Sequence, residues 1–231
     1  MRSIQAIFIK QAKDMFRNPS VLVMFIIFPL VALLMTELVA KANDDIPNTM
    51  FVTMMATVFA GMGLISSASA VIAEDVERKS LRFLVIAGVK PYQYLIGTGG
   101  FFLLAGALAS LMFTLIGGYT GAEALKFLAI MIAGVASSVI LGMTIGIFSK
   151  NQQASASLAM PIAVITGFTP MIATFNETVE KFAGVLYTQQ INVIANDFSV
   201  GLGKPLLVIA ANIAICTAIF ALAYRKKGLK G

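Results

Sequence analysis

The stretch EDVERKSLRFLVIAGVK, Glu74 to Lys90, decides the fold of this chain. It places seven charged residues between two long apolar runs. Because about 20 consecutive apolar residues are enough to cross a bilayer as a helix, the flanking runs belong in lipid and the charged stretch belongs in water. It is therefore the part of the chain best placed to meet another protein.

The composition of the whole chain supports a membrane protein. Of its 231 residues, 58% are hydrophobic and 12% are charged, whereas soluble domains carry about 25% charged residues. There is no histidine, and the one cysteine, Cys216, lies in an apolar run. This composition excludes histidine-based catalysis, a disulfide within the chain and a Cys/His metal cluster. Cation sites built from carboxylates alone remain possible, but no metal site is predicted.

We predict an all-α membrane protein with six transmembrane helices in a single domain, 1–231. An interfacial helix (1–19) precedes a six-span bundle (20–224), and a basic tail (225–231) follows it. The apolar runs place the six spans at about 20–40, 50–73, 94–118, 125–148, 154–172 and 205–224. The first run also resembles a secretion signal ending near Ala40, but its length and the helix before it favour an uncleaved span.

The segment before the first span has the pattern of an amphipathic helix lying at the membrane surface. The break is expected at Asn18-Pro19, because a residue before proline disfavours the helical region. At 100° per residue, one face carries Met1, Ile4, Phe8 and Met15, and the opposite face carries Arg2, Lys10, Lys13 and Arg17.

The segment between spans five and six, 173–204, is too polar to cross the membrane. Two apolar faces predict two short amphipathic helices that lie at the membrane surface or dip into it. The first face comprises Phe175, Val179, Phe182 and Leu186, and the second comprises Ile191, Ile194, Ala195 and Phe198.

The distribution of Lys and Arg predicts the orientation. An even number of spans puts both termini on one side, which then collects 13 of the 17 basic residues. Because basic loops stay in the cytosol, we expect cytosolic termini, a cytosolic Glu74–Lys90 segment and an extracellular 173–204 segment. The expected location is the bacterial cytoplasmic membrane. The same charge map explains the net charge of +6 without nucleic acid, which is not an expected partner.

The chain lacks a recognisable phosphate-binding loop. Gly203-Lys204 ends like a Walker A motif, but Pro205 stands where Ser or Thr is needed. If the chain moves a solute actively, the energy must therefore come from a partner or from an ion gradient. Ion coupling usually requires ionisable groups at mid-membrane depth, and the nearest one, Glu37, lies close to the end of its span. A channel or gradient-driven carrier remains the alternative, and a membrane enzyme is disfavoured.

Three sets of residues in the spans are candidates for packing, hinge and pathway roles. Small residues recur every four positions at Gly134, Ser138, Gly142 and Gly146, which suits close helix packing within the chain or between two copies. Pro161 and Pro170 in span five indicate static packing or a hinge. The uncharged polar residues either line a path or bond their own helix backbone: Thr53, Thr57, Ser66, Ser67, Ser155, Ser157, Thr166 and Thr169.

The charged stretch and its flanks resemble the ABC-2-type transporter permeases. The family's first cytosolic loop carries two acidic residues, then Gly-Thr-Leu, a short apolar stretch and a proline before the next span. Here Lys79 replaces the usual glycine and Ser80 replaces threonine. The N-terminal helix, six spans and surface segment follow the family layout over essentially the whole chain. The residues that carry the resemblance are Ile72, Glu74, Glu77, Ser80, Leu81, Leu84, Pro91 and Gly97.

This resemblance implies a permease subunit of an ATP-driven exporter for amphipathic or hydrophobic substrates such as peptides, drugs, antibiotics or lipid-like molecules. It implies a dimer with a second permease copy or paralogue, surrounded by lipid. A separate ATP-binding subunit would bind ATP and Mg, so this chain would hold no cofactor and would not itself be an enzyme. The N-terminal amphipathic helix and the short helix in the first cytosolic loop would together form the docking surface for that subunit, with Glu74, Glu77, Arg78 and Arg82 as the docking residues.

Overall fold

A computed structural model describes residues 2–17 and 19–230 of the chain. Over these residues the protein is 84% helical, contains no strand and has six helices long and apolar enough to cross a membrane. The predicted all-α membrane fold with six spans is therefore confirmed. Asn18, where the first helix was predicted to break, lies outside the described residues.

The helices follow the predicted order. The amphipathic segment forms α1, and the charged stretch forms the end of α4 and the whole of α5. The segment between the last two spans forms α9 and α10. The helices are α1 (Arg2–Arg17), α2 (Pro19–Met35), α3 (Met50–Val58), α4 (Leu64–Glu77), α5 (Ser80–Ile86), α6 (Pro91–Ile116), α7 (Gly121–Phe148), α8 (Gln152–Ala173), α9 (Glu177–Ala183), α10 (Tyr187–Asn196) and α11 (Gly203–Lys230).

Two spans contain a single wider π-helical turn. One, Thr36–Ala40, extends α2, and the other, Phe59–Gly63, joins α3 to α4 so that the second span runs from Met50 to Glu77. A π turn shifts the backbone register and leaves carbonyl groups available to neighbours, and such turns are frequent at functional sites. The second span therefore has an irregular point near its middle.

Helix α7 lies at the centre of the bundle and contacts α4, α6, α10 and α11. Its small-residue stripe faces inward, with all four members buried. A Cβ added to Gly142 would lie 2.6 Å from the Ile65 carbonyl oxygen, and one added to Gly146 would lie 2.6 Å from that of Ser69. The stripe thus lets α4 of the same chain approach the backbone of α7 closely.

The predicted basic tail, 225–231, continues the helix of the last span as far as Lys230. Helix α11 runs from Gly203 to Lys230 without interruption. Its final residues include Arg225 and Lys226, and positive side chains interact favourably with the negative end of a helix dipole. The basic residues that mark the end of the membrane span therefore do not end the helix.

The two short helices predicted in 173–204 are present as α9 and α10, and of the two predicted placements, at the surface or dipping inward, α10 has the second. Phe175 and Leu186 lie outside α9, and Phe175 and Phe182 are exposed. Helix α10 is buried along most of its length and packs against α3, α7, α8 and α11. The physical reason is that its polar residues find hydrogen-bond partners inside the bundle, so polarity did not force the helix to the surface.

Candidate docking face and polar core

The turn between α4 and α5 is built around one left-handed residue. Lys79 has φ 59° and is, among the described residues, the one non-glycine with a positive φ. A left-handed backbone costs an L-residue roughly 1–2 kcal/mol, which is why glycine is preferred at such positions. The structure thus places Lys79, which replaces the glycine of the resembled motif, in the conformation that glycine would favour.

A buried carboxylate ties α1 to the bundle beside this turn. Asp75 of α4 has 7% of its side chain exposed and accepts hydrogen bonds from Lys10 Nζ at 2.5 Å and from the Tyr94 hydroxyl at 2.7 Å. Asp14 of α1 lies 3.6 Å from the same Lys10 nitrogen. We call Lys10, Asp14, Asp75 and Tyr94 the basal cluster. It joins α1, α4 and α6 into one block.

Two further contacts extend this block. The Tyr94 ring packs against that of Tyr224 in α11, with centroids 5.5 Å apart, and the Tyr224 hydroxyl donates to the carbonyl of Val89. Ile7 of α1 lies over Gly97, where an added Cβ would come within 2.8 Å of the isoleucine. Both the first helix and the end of the last helix therefore lie at the same end of the bundle as α5.

Three of the four predicted docking residues already have partners in the chain. Arg78 Nη2 lies 2.7 Å from Glu74 Oε1, one helical turn away. Glu77 Oε2 accepts a hydrogen bond from the backbone N–H of Gln152 at 3.1 Å, at the start of α8. A carboxylate at a helix N-terminus is favourable because the N–H groups there are unpaired. Arg82 is exposed and makes no ion pair among the described residues.

Arg82 lines a groove of about 740 Å³ at this end of the molecule. The groove lies between α5, the loop that joins α7 to α8, and the end of α11. We call it the docking groove. Its charged lining consists of one acidic residue, Glu77, and four basic residues, Lys79, Arg82, Lys150 and Lys226. All five are exposed, so their charges are presented to whatever enters the groove.

Towards the other end of the bundle, α10 and α8 meet through uncharged hydrogen bonds. Pro170 lacks an N–H, so the Thr166 carbonyl one turn earlier loses its helical partner. The Thr188 hydroxyl of α10 donates to that carbonyl at 2.6 Å. The Asn192 side-chain N–H donates to the Pro170 carbonyl at 3.3 Å.

The π turn of the second span joins the same arrangement. The Thr166 hydroxyl donates to the Gly61 carbonyl at 3.0 Å, and the Tyr187 hydroxyl donates to the Ala60 carbonyl at 3.4 Å. Burial raises the pKa of Tyr187 above its usual value, so the phenol stays neutral. We call Thr166, Tyr187, Thr188 and Asn192 the neutral cluster, because it connects two irregular helices without an ionised group.

The predicted pathway residues occupy mixed positions. Thr57, Ser67, Ser157 and Thr166 donate to carbonyls of their own helices, as hydroxyls in apolar helices commonly do. Thr53 and Ser155 are buried, and their hydroxyl oxygens have no partner among the described residues. Ser66 and Thr169 are half-buried. Of the two candidate hinge prolines, Pro161 is exposed and Pro170 is buried, and α8 is continuous through both.

Sequence reasoning missed Asp75, Lys10 and Tyr94. Asp75 stood in the charged stretch but was not chosen over its neighbours Glu74 and Glu77. A helical projection carries the missing signal, because Asp75 lies on the same side of α4 as the buried Ile72 and Leu64. Lys10 lies 65 positions away, and nothing local in the sequence identifies it as the partner.

Comparison with known protein families identifies the family to which this chain belongs. The family model described as ABC-2 type transporter matches residues 2–188, which includes α1 to α9 and the start of α10. The match covers most of the chain, so this protein belongs to the ABC-2 type transporter family, as the motif indicated. Membrane domains of this family are permease components that typically pair with an ATP-binding subunit. No curated protein matches the chain.

Proposed function

We propose that this chain is the permease subunit of an ATP-driven exporter and that its ATP-binding partner docks in the groove beside α5. The observation that carries the proposal is the convergence of three separate segments on one groove. Lys79 and Arg82 come from the first loop, Lys150 from the second and Lys226 from the last helix. A partner seated there touches both loops and the end of α11 at once.

The basal cluster supports a mechanical role for this face. Movement of a docked partner can be transmitted only if the contacted segment is held rigidly against the spans. Asp75 binds α1 and α6, and Glu77 binds the start of α8. A push on the α4–α5 turn therefore acts on four helices together.

Charge complementarity identifies the surface that the partner would offer. The groove presents four basic residues against one acidic residue, so an acidic surface on the ATP-binding subunit fits it. Complementary charge of this kind mainly increases the association rate and selects the correct partner. ATP and Mg would be bound in the partner, and a second permease copy or a paralogue would complete the transporter.

The orientation follows from the positions of the basic residues. Lys10, Arg82, Lys150 and Arg225 lie at the end of the bundle that carries α1, α5 and the end of α11, and basic segments favour the cytosolic side. We therefore assign α1, α5 and the docking groove to the cytosol, and α9 to the outer face of the plasma membrane.

The substrate is proposed to be amphipathic or hydrophobic. The neutral cluster supports this class because it offers hydroxyl and amide groups in an apolar bundle without an ionised group of its own. A strongly charged solute would lose its hydration there without a compensating charge. Outward transport is part of the same proposal and rests on the family resemblance.

The test is co-purification of the ATP-binding subunit with the permease carrying Arg82→Glu. Reversing an exposed charge in the groove should lower the yield of the complex about tenfold or more, because like charges then face each other. The control is Lys41→Glu, which makes the same charge change in the exposed loop after the first span, at the other end of the bundle. An unchanged yield in Arg82→Glu, or an equal loss in Lys41→Glu, would contradict docking at the groove.

A further inference from the structure

A second cavity, of about 470 Å³, lies between the start of α6 and the last turns of α11. We call it the interfacial cavity. It is lined by Lys90, which directly precedes α6, by Tyr92 of α6 and by Arg225 of α11, and all three are exposed. Lys90 comes just before the third span and Arg225 lies at the end of the sixth. The cavity therefore lies where both spans leave the bilayer, the level at which exposed tyrosines are common.

The two basic residues of this cavity are held beside each other by contacts of their chain neighbours. The Tyr224 hydroxyl donates to the Val89 carbonyl at 3.2 Å, and these residues directly adjoin Arg225 and Lys90. The Tyr224 ring also packs against that of Tyr94 in α6, with centroids 5.5 Å apart. The backbone segments that carry the two cations are therefore fixed together by interactions that do not depend on the cations themselves.

The charge of the interfacial cavity selects an anion. Its lining contains two basic residues and no acidic residue. Neither Lys90 nor Arg225 makes an ion pair with any described residue. The first residues of α6, Pro91 and Tyr92, line the same cavity, so the positive end of that helix dipole adds to the field. A ligand with a cationic group of its own would find no counter-charge here, whereas a net anion bridges the two cations.

An apolar groove adjoins this cavity and extends along α6. It measures about 250 Å³, lies between α6 and α7, and shares Leu95 with the cavity. Gly99 and Gly100 line it without side chains, and Ile96, which also lines it, is 53% exposed, so the groove opens to the surface of the bundle. From Leu95 to Leu103 the helix rises by about 12 Å. One leaflet of the hydrocarbon core is about 15 Å deep, so the groove has the depth of a single acyl chain.

We propose that the interfacial cavity and this groove together bind one anionic phospholipid. The phosphate lies between Lys90 and Arg225, and an acyl chain lies in the groove over Gly99. Basic pockets between helices at the membrane surface are a known way to hold anionic headgroups. The bound lipid bridges α6 and α11 beside the docking groove, which is lined by Lys226, the residue after Arg225. Its binding does not require the ATP-binding partner.

The experiment is native mass spectrometry of the delipidated full-length permease with phosphatidylglycerol and with phosphatidylcholine of the same acyl chains. Both lipids carry a phosphate, but choline adds a positive charge. We expect phosphatidylglycerol to be retained about tenfold more strongly or better, because each basic residue at a membrane surface favours an anionic lipid. Equal retention of the two lipids by the wild-type protein would overturn the proposal.

A pair of double variants tests the headgroup site. Lys90→Gln combined with Arg225→Gln should remove the preference for phosphatidylglycerol. The matched control is Lys79→Gln combined with Lys150→Gln, which removes two exposed positive charges from the docking groove at the same end of the bundle. A preference that survives the first pair, or that falls equally in the control, would mean that the lipid follows the overall charge of this end, and would overturn the site.

A substitution at Gly99 tests the acyl-chain groove. A Cβ added there would lie 3.5 Å from Met143 Sδ, an ordinary van der Waals contact, so the helix packing accommodates a side chain. Gly99→Leu should weaken binding of both lipids about tenfold and leave the preference between them unchanged. Gly99→Ala fills less of the groove, should weaken both about twofold, and replaces the leucine variant if that one does not fold. Undiminished binding would overturn the placement of the acyl chain.

Two soluble probes distinguish a lipid from other sources of the same anion. Glycerophosphoglycerol carries the headgroup without acyl chains, and inorganic phosphate carries the anion alone. We expect neither to displace bound phosphatidylglycerol at millimolar concentration, because neither fills the groove. Displacement by either probe would overturn the lipid assignment and make the interfacial cavity a site for a soluble anion.

Discussion

The two ends of this bundle are held together by different chemistry. The basal cluster uses ionised groups: Asp75 binds Lys10 and Tyr94 and ties three helices into a block beside the docking groove. The neutral cluster uses hydroxyl and amide donors that satisfy carbonyls released by Pro170 and by the π turn at Phe59–Gly63. The difference indicates that the charged end is built to stay together, whereas the neutral end joins helices at points where they are already irregular.

The small-residue stripe of α7 runs between these two ends and provides the largest expected effect. At Gly142, an added Cβ meets the Ile65 backbone oxygen at 2.6 Å, and backbone cannot move aside. Gly142→Ala should therefore lower the free energy of unfolding by about 3 kcal/mol. At Gly134 the obstacle is the tip of the Ile191 side chain, which can rotate, so Gly134→Ala should cost clearly less. Thermal denaturation in detergent measures both, and equal losses would show that α10 is as tightly fixed as α4.

The basal cluster should lose stability when its central charge is removed. Asp75→Asn keeps the size of the side chain but loses the ion pair with Lys10, so we expect a loss of about 2 kcal/mol, in the range of hydrogen bonds to charged groups. Asp14→Asn removes the other carboxylate near the same lysine, but that side chain is 50% exposed and lies 3.6 Å away. Its loss should be below about 0.5 kcal/mol. The same thermal assay compares them, and similar losses would mean that the burial of Asp75 has no energetic consequence.

The neutral cluster makes a prediction that depends on Pro170. Thr188→Val leaves the Thr166 carbonyl without its donor, which should cost about 1 kcal/mol. Pro170→Ala restores a backbone N–H to that carbonyl through the ordinary helical bond. In the Pro170→Ala background, Thr188→Val should therefore cost less than it does alone, a coupling that a double-mutant cycle measures. Strictly additive losses would show that Thr188 does not compensate for the proline.

The smallest effect concerns the turn that begins α5. Lys79→Gly should raise the free energy of unfolding by roughly 0.5–1 kcal/mol, because glycine adopts the left-handed conformation without strain. Gly88, at the other end of α5, has φ 79°, and an added Cβ would meet nothing within 4 Å there. Gly88→Ala should therefore destabilise by a similar amount through backbone strain alone. A destabilised Lys79→Gly protein would mean that the lysine side chain contributes more than its backbone costs.

These comparisons also show what the sequence could and could not predict. Composition and apolar run length were sufficient for six spans, whereas the short helix between the second and third was expected only from the family resemblance. The polarity of 187–196 suggested a helix at the membrane surface. The sequence shows that a residue is polar, but it does not show whether a hydrogen-bond partner is present inside the bundle. Its partners, the Thr166 and Ala60 carbonyls, are released by a proline and by a π turn, and only the proline is visible in the sequence.

The same limit applies to the docking face. The motif selected Glu74, Glu77 and Arg78 as docking residues, but charge alone could not show that Glu74 and Arg78 pair with each other and that Glu77 binds the start of α8. Arg82 differs from them only through its three-dimensional surroundings. Lys150 and Lys226 come from segments far along the chain, so their place beside Arg82 depends on how the bundle closes.

The most direct test of the docking groove is site-specific photo-crosslinking in cells. Arg82 and, separately, Lys41 are replaced by a photoreactive amino acid, and the adducts are identified by mass spectrometry. Docking at the groove predicts an adduct from position 82 that contains peptides of a Walker-motif ATP-binding subunit, and much less of it from position 41. No such adduct from position 82, or equal adducts from both positions, would contradict the account.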